Sequence, residues 1–235
     1  KAVDDVSLEI YKGETLGIVG ESGCGKSTFG KSIMRLEQIT DGKVIFNYDG
    51  QFKDVAQFDK KEMFEFRKKV QMVFQDPYSA LNPQKTIYTS FEEPLKTHGY
   101  TSVEEREAIM QRVLKLVNIP TDYLMRYPHE FSGGQRQRLT LARALVPQSD
   151  ILIMDDSASA LDYATDARLR KAIQDMKRKP TVFIVSQRTS SIQNADMILV
   201  LDDGKIAGQG THEQLLKSCN IYREIYETQF KKEEA

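Results

Sequence analysis

The chain has 235 residues, with 33 lysines and arginines against 34 acidic residues and a net charge of −1. That length suffices for one large or two small cores, and the even balance excludes a global field for gathering nucleic acid. Only two cysteines, Cys24 and Cys219, stand far apart in sequence, which excludes a disulfide framework and fits a reducing, cytosolic compartment. No apolar run reaches the length of a membrane span and no signal peptide is visible. Lys1 in place of an initial methionine reads as a segment of something longer.

Residues 2–10 alternate apolar and polar late in the stretch, which predicts a half-exposed strand. Tyr11-Lys12-Gly13-Glu14 turns the chain into Thr15–Val19, a short apolar run with the character of a buried strand. This run leads directly into Gly20-Glu21-Ser22-Gly23-Cys24-Gly25-Lys26-Ser27-Thr28, a complete G-x-x-x-x-G-K-[ST] phosphate loop. The glycines let successive N–H groups turn inward as a nest for phosphate oxygens. Lys26 brings a cation to the outer phosphates, Ser27 offers a hydroxyl to Mg²⁺, and the helix that follows presents its positive end to the anion. Phe29, Ile33 and Leu36 recur at helical spacing after the loop.

Asp41-Gly42 is a turn signal and Val44–Phe46 a strand; residues 47–60 read as irregular and polar. Lys60–Lys69 is a charged helix and Val70–Gln75 a strand, stopped by Asp76-Pro77, with a loop to Pro83. Residues 84–130 read as mostly helical. Ser102-Val103-Glu104-Glu105 is a capping box, followed by a core stripe of Met110, Val113, Leu114 and Val117. Phe131–Gln135 is a glycine-bearing break before a helix through Leu139, Ala142 and Leu145. Ile151–Asp156 is an apolar strand ending in two carboxylates, a basic helix covers about residues 163–178, and Thr181–Gln187 is a buried strand. Met197–Leu201 and Lys205-Ile206 form a hairpin around Asp202-Asp203-Gly204, and a polar helix runs from Thr211.

Strands alternating with helices predict an α/β fold whose sheet is largely parallel and covered on both faces. The helical block interrupts that alternation. The expected organisation is a discontinuous ATP-binding core, residues 1–77 and 138–235, with a helical subdomain at 78–137 carrying the glycine-bearing break at its end.

With the phosphate loop, Phe131–Gln135 and Ile151–Asp156 in this order, the sequence resembles the ATP-binding subunits of ABC transporters over its whole length. The resemblance implies a P-loop NTPase (RecA-like) core with an N-terminal antiparallel β portion, ATP and Mg²⁺ as ligands, and ATP hydrolysis coupled to transport. It implies roles residue by residue. Gln75 stands at the Q-loop glutamine, which touches Mg²⁺ and the attacking water. Ser132, Gly133, Gly134 and Gln135 match the signature sequence, with Phe131 replacing the more usual leucine; that signature contacts the γ-phosphate of ATP held by the other subunit. Asp155 matches the Walker B aspartate, a Mg²⁺ partner alongside Ser27, and Ser159-Ala160-Leu161-Asp162 matches the D-loop. The implied assembly is a head-to-tail dimer, homo- or heteromeric, with two ATPs between the subunits. It would dock on transmembrane permease subunits at the inner face of the cell membrane, touching the membrane only through them and no nucleic acid.

Two positions depart from the family pattern. Asp156 replaces the glutamate that positions or activates water, and Gln187 replaces the histidine near the γ-phosphate. A carboxylate one methylene shorter positions water poorly, since catalysis is sensitive to displacements of ~1 Å. Glutamine can donate a hydrogen bond but carries no proton or charge at neutral pH. Two readings stay open: a slow but working ATPase with Lys26, Gln75, Asp156 and Gln187 as catalytic residues, or a nucleotide-gated dimerisation module with little turnover. A soluble ABC ATPase of DNA repair or translation is the weaker third reading.

Character also shifts along the chain. To about Arg143 it resembles oligopeptide and dipeptide importer ATPases, on Val73–Pro83 and Arg126–Gln135. From about Ile151 it resembles multidrug or lipid exporter domains, on Asp155–Asp162, Val185-Ser186-Gln187-Arg188 and Leu201–Ile206. This reads as a chimera, natural or engineered, joined near residues 136–150. The family's adenine-stacking aromatic falls before Ala2, and Tyr11 lies too close to the phosphate loop for that role. His98 and His212 read as solvated, His129 as a structural hydrogen-bonder and Cys219 as an inert thiol.

Overall fold

The computed structural model describes residues 2–76, 80–156, 163–174 and 179–233. It resolves into two compact units, residues 1–70 with 181–235, and residues 71–180. The α/β class with a mostly parallel sheet, an antiparallel β pair and covering helices is the observed architecture.

The first unit is built on β1 (Thr15–Val19), β6 (Thr181–Val185), β7 (Met197–Asp202) and β8 (Lys205–Gly210). β1 runs parallel to both β6 and β7, pairing Ile18 with Val185 and with Leu199. β8 closes one edge antiparallel to β7. These strands read as near-continuous apolar runs because parallel strands are buried on both faces; every residue of β6 is buried. Asp203 and Gly204, both at positive φ, make the tight turn of the β7–β8 hairpin. α1 (Lys26–Ile33) follows β1, and α2 (Lys60–Lys69) starts from a full capping box between Asp59 and Glu62. α7 (His212–Ser218) and α8 (Asn220–Glu233) close the chain.

Five expectations for this unit need correction. Residues 2–10 form no strand: Asp5 takes a positive φ, and the segment touches the sheet through an Asp4 N–H bond to the Gly204 carbonyl. The antiparallel β portion is instead β2 (Ile45–Tyr48), which overlaps the strand expected at Val44–Phe46, paired with β3 (Gln51–Asp54) inside residues 47–60, the stretch read as irregular. Asp49 and Gly50, at φ 49° and 91°, supply the two-residue turn, a D-G signal that went unused. α1 stops before Leu36 because Arg35 takes a left-handed backbone, with Leu36 N–H bonding the Lys31 carbonyl and Arg35 N–H that of Ser32, a Schellman closure. The tail is two helices, broken at Cys219, whose buried thiol packs where Gly208 leaves space. Arg223 folds back on the Leu216 and Lys217 carbonyls and satisfies the end of α7. His212 is not solvated: its Nδ1 lies 2.8 Å from the hydroxyl of the fully buried Tyr222.

The second unit holds β4 (Val70–Val73, from its second residue) beside β5 (Ile151–Asp155), with α3 (Ile87–Thr97), α4 (Val103–Leu116), α5 (Gly133–Leu145) and α6 (Tyr163–Gln174). The basic helix is described to Gln174; the remainder of its expected span lies outside the described residues. The predicted stripe on α4 is core: Met110, Val113, Leu114 and Val117 are all buried, with Ile87, Phe91 and Leu95 of α3. Only half of the capping box at Ser102 forms. Its Oγ accepts from Glu105 N–H, but the hydroxyl donates to Glu104 and no reciprocal bond is made. His98 bonds the Pro94 carbonyl through Nδ1 at 2.7 Å rather than standing in solvent. No helix among the described residues is long and apolar enough to cross a membrane.

Arg106, with a side chain only 6% exposed, is a buried charge of this unit. Its guanidinium donates to the Tyr100 and Thr101 carbonyls and to Glu92 Oε1 at 3.0 Å. Lys96 binds the other Glu92 oxygen from a largely exposed position, where an ion pair adds little. The Lys96 hydrogen bond, opposed by burial and reinforced by Arg106, holds the Glu92 carboxyl below its ordinary range. Glu92→Gln should therefore cost about 1–3 kcal/mol, the value of a hydrogen bond to a charged group, read as a lower denaturant midpoint. Glu92's pKa is depressed in the folded state, so its contribution is full above the unfolded carboxyl pKa and is lost as pH falls through the folded one. The gap between wild type and variant should close on acidification below about pH 4.

Candidate nucleotide site

β1 delivers the chain to the phosphate loop at the carboxyl end of the parallel strands, where open α/β sheets bind ligands. Gly25 caps α1 at φ 101° and Gly23 stands at 88°, conformations that favour glycine. A Cβ on Gly25 would lie 1.9 Å from the Ala2 carbonyl oxygen, and one on Gly20 2.1 Å from that of Leu201. The loop is thus packed backbone against backbone from below. Gly204 N–H bonds the Cys24 carbonyl at 3.1 Å, so the tip of the β7–β8 hairpin supports the loop. Sequence reading gave no part to Ala2, Leu201 or Gly204; only the tight turn at Gly204 was legible.

Lys26 is buried, yet among the described residues no carboxylate contacts its ammonium. It donates to the Gly20 carbonyl at 2.9 Å and the Glu21 carbonyl at 2.6 Å, and lies 3.6 Å from the Cys24 sulfur. Loop carbonyls hold the cation inside the curve of the loop without neutralising it. Glu21, Ser22 and Gly23 are exposed, Cys24 and Gly25 buried, and Ser27 and Thr28 half-buried at the head of α1. The first turn of α1 has no acidic residue to oppose a bound anion.

Gln187 follows β6 in the same unit. Ser186 N–H bonds the Ile18 carbonyl at 3.0 Å, so the chain is tied to β1 one residue before Gln187 and two residues before Gly20. Gln187 is exposed.

The second unit carries the remaining candidates. Gln75 is exposed just past β4. Asp155 ends β5 and is buried; Asp156 is half-buried with φ 44°. Left-handed backbone is a conformation aspartate tolerates better than most non-glycine residues. Ser132 is the N-cap of α5, accepting from Gln135 N–H while Gln135 Oε1 accepts from Ser132 N–H at 3.0 Å. This capping box places Gly133 and Gly134 in an acid-free first turn, with N–H groups outside the helix's own ladder. By contrast α2 and α4 carry glutamate in their first turns. Phe131 is buried against Tyr123, so the departure from leucine falls on a packing position. Arg136, which sequence reading overlooked, braces the cap by donating to the Phe131 and His129 carbonyls. His129 itself is exposed and stacks on Tyr127. Arg143 donates to the Ala80 carbonyl, tying the signature helix to the loop beyond Gln75. Ser159 and Asp162 lie outside the described residues.

In the first unit, a buried lysine held on loop carbonyls, Gly20 and Gly25 without room for a side chain, and an acid-free helix end suit a polyphosphate; in the second, the acid-free end of α5 suits an anion and the buried Asp155 suits Mg²⁺. No cluster of three histidine, cysteine or acidic residues forms among the described residues. Mg²⁺ with a nucleotide needs only one or two protein oxygens, since phosphates and water complete its shell.

The ABC transporter family model matches residues 3–159. The chain is 42% identical over 222 residues to the oligopeptide transport ATP-binding protein OppF of Bacillus subtilis (strain 168), covering 93% of this chain and 72% of that protein. Its fold matches a dimeric post-hydrolysis structure of the ATP-binding cassette MJ0796 bound to ADP and Pi, with TM-score 0.79, 30% identity and 90% of each chain covered. It also matches a bacterial Atm1-family ABC exporter with ATP bound, with TM-score 0.81 and 28% identity over 97% of this chain and 39% of that one. With a complete phosphate loop and a serine-capped signature helix in one α/β chain, the protein belongs to the ABC transporter family as one of its MgATP-binding ATPase cassettes.

Proposed function

We propose that this cassette drives peptide uptake by closing head-to-tail on a second ATPase subunit around two MgATP molecules, and that it turns ATP over slowly. The observation that carries the reading is the pairing of an intact phosphate loop around Lys26 with an acid-free, Ser132-capped helix on the same chain. Each closed site would join residues 20–28 of one subunit to Ser132, Gly133, Gly134 and Gln135 of the other. ATP then acts as an interfacial ligand that favours the closed state, and hydrolysis removes the preference. Likeness to a protein named for oligopeptide transport supports peptides as cargo and permease subunits as partners, at the inner face of the membrane. We assign the ATP-binding core to residues 1–77 and 138–235, and the signature-bearing helical subdomain to 78–137.

In the reaction, water attacks the γ-phosphorus, the bond to the ADP leaving oxygen breaks, and ADP, inorganic phosphate and a proton leave. Lys26 and the loop N–H groups stabilise charge on the phosphates. Ser27, Gln75 and Asp155 would hold Mg²⁺, which would supply charge neutralisation to the phosphates. Asp156 positions the water and Gln187 donates to the γ-phosphate. Asp156 and Gln187 are the weak members, one short and one unable to take a proton. They also carry the exporter-like character of the chain beyond Ile151, which we read as a chimeric junction at residues 136–150. A continuous reading frame across that junction in many related genomes would count against an engineered origin.

Phosphate release and ATP-dependent dimerisation, measured together, test the slow-site reading. Gln187→His should raise release by about a hundredfold, the low end of what a positioned acid–base group contributes. Asp156→Glu should gain less, because glutamate must also hold φ 44°. Dimerisation should change little in either variant. Release that is fast in the wild type and unmoved by both changes would sink the reading.

Gly20→Ala tests nucleotide binding itself. Its Cβ meets backbone 2.1 Å away, so the loop must move. MgATP should raise the melting temperature of the wild type and leave that of the variant unchanged. Gly42→Ala, at φ 92° in open space, should cost about 1–2 kcal/mol and keep the full MgATP shift.

A further inference from the structure

The loop that carries Gln187 is held from two sides. On one side Ser186 N–H bonds the Ile18 carbonyl of β1. On the other stands Gln229, late in α8 and 42 residues further along the chain. Its Nε2 donates to the Gln187 carbonyl at 2.6 Å. Its Oε1 accepts from Thr189 N–H at 2.8 Å and from the Thr189 hydroxyl at 2.9 Å. The amide orientation is fixed by chemistry: a backbone N–H can only donate and a carbonyl can only accept, so oxygen and nitrogen cannot exchange places.

One side-chain amide therefore grips both backbone groups flanking Arg188. Thr189 is 1% exposed and opens a 3-10 turn, Thr189–Ser191, whose own bonds run to Ile192 and Gln193. Arg188 N–H is held by the Ser186 hydroxyl at 3.0 Å. The result is a short loop with Gln187 between two fixed points, one on the strand that feeds the phosphate loop and one on the terminal helix.

We infer that Gln229 is a positioning residue for ATP hydrolysis: its amide clamps the Gln187 and Thr189 backbone so that the Gln187 side chain faces the γ-phosphate. The inference rests on the reading of Gln187 given above. It makes α8 a lever on the site, since any displacement of Gln229 frees the loop without touching residues 20–28. The helix does not depend on this clamp for its place. Tyr222, fully buried, and Arg223, bonded to the end of α7, anchor it independently.

Single-turnover phosphate release from the full chain, as a function of MgATP concentration, separates the rate from the affinity. Gln229→Ala should lower the rate constant about tenfold, a loss expected of a displacement below 1 Å, with the half-saturating MgATP concentration within about twofold. Gln229→Glu keeps the acceptor for Thr189 and loses the donor to Gln187. It should fall in the same direction while the Thr189 amide stays protected from hydrogen exchange. In a Gln187→Ala background, Gln229→Ala should add nothing. An equal loss in both backgrounds, or a loss confined to MgATP affinity or melting temperature, overturns the inference and leaves Gln229 a structural residue. A Gln187→Ala variant that works normally removes the role of Gln187, and the inference with it. An impaired Gln187→Ala beside a normal Gln229→Ala overturns the inference alone.

Discussion

There is no room for a side chain beneath the phosphate loop, and the placement of the loop's donors follows from that shortage. Gly20 and Gly25 each lie so near a foreign carbonyl oxygen that even a methyl group would collide. The carbonyls belong to Leu201 and Ala2, and Gly204 adds a direct bond to Cys24. The loop rests on main chain rather than on rotamers, so it has little freedom to relax. The parallel pairing of β1 with β6 and β7 fixes that floor, because it sets where Val19 ends relative to Val200 and Val185. Lys26 is then held by the Gly20 and Glu21 carbonyls, with no carboxylate in contact among the described residues. A site built this way has met its ordering cost in the fold and keeps its positive potential for a ligand.

The other anion-facing element uses a different device. At α5 the cap is made by side chains, with Ser132 and Gln135 bonding each other's backbone. The reciprocal box consumes the N–H groups of Ser132 and Gln135, the cap and the third helical residue, and leaves those of Gly133 and Gly134 directed past the helix end. Arg136 adds a guanidinium braced on the Phe131 and His129 carbonyls. Neither glycine is there for positive φ, since both are helical. The two helix ends thus reach the same chemistry, exposed N–H groups in an acid-free turn, through main-chain packing in one case and a side-chain box in the other.

Much of this was legible because it is local. The phosphate loop, the glycine-bearing break before α5, α2, the α4 core stripe and the β7–β8 turn are each set by a handful of consecutive residues, and each stands where its residues put it. What escaped was non-local or lay in competition. Residues 2–10 have strand-like alternation, but no strand partners them and Asp5 turns the backbone. The Asp49-Gly50 hairpin was passed over because polar Asn47, Gln51 and Lys53 masked the alternation of β2 and β3. Leu36 follows the helical period of α1, yet Arg35 ends the helix first. The bond from Gln229 to Gln187 spans 42 residues and leaves no trace in spacing or composition.

The two departures from the family pattern differ in kind once the backbone is considered. Asp156 sits at φ 44°, where the shorter acidic side chain is better tolerated than glutamate. The lost methylene and the left-handed backbone are therefore matched, and one cannot be altered without strain in the other. Gln187 is under no such constraint. Its main chain is gripped at its own carbonyl and at Thr189, and neither bond depends on which side chain it carries. A histidine there would meet the same clamp and gain a titrating nitrogen near neutral pH. On the reading of these residues as the water-positioning and γ-phosphate contacts, the cassette has kept the loop geometry of a turnover site and given up its proton chemistry. Nucleotide-driven closure draws on the first and hydrolysis on both, so the fold separates the two activities at a single side chain.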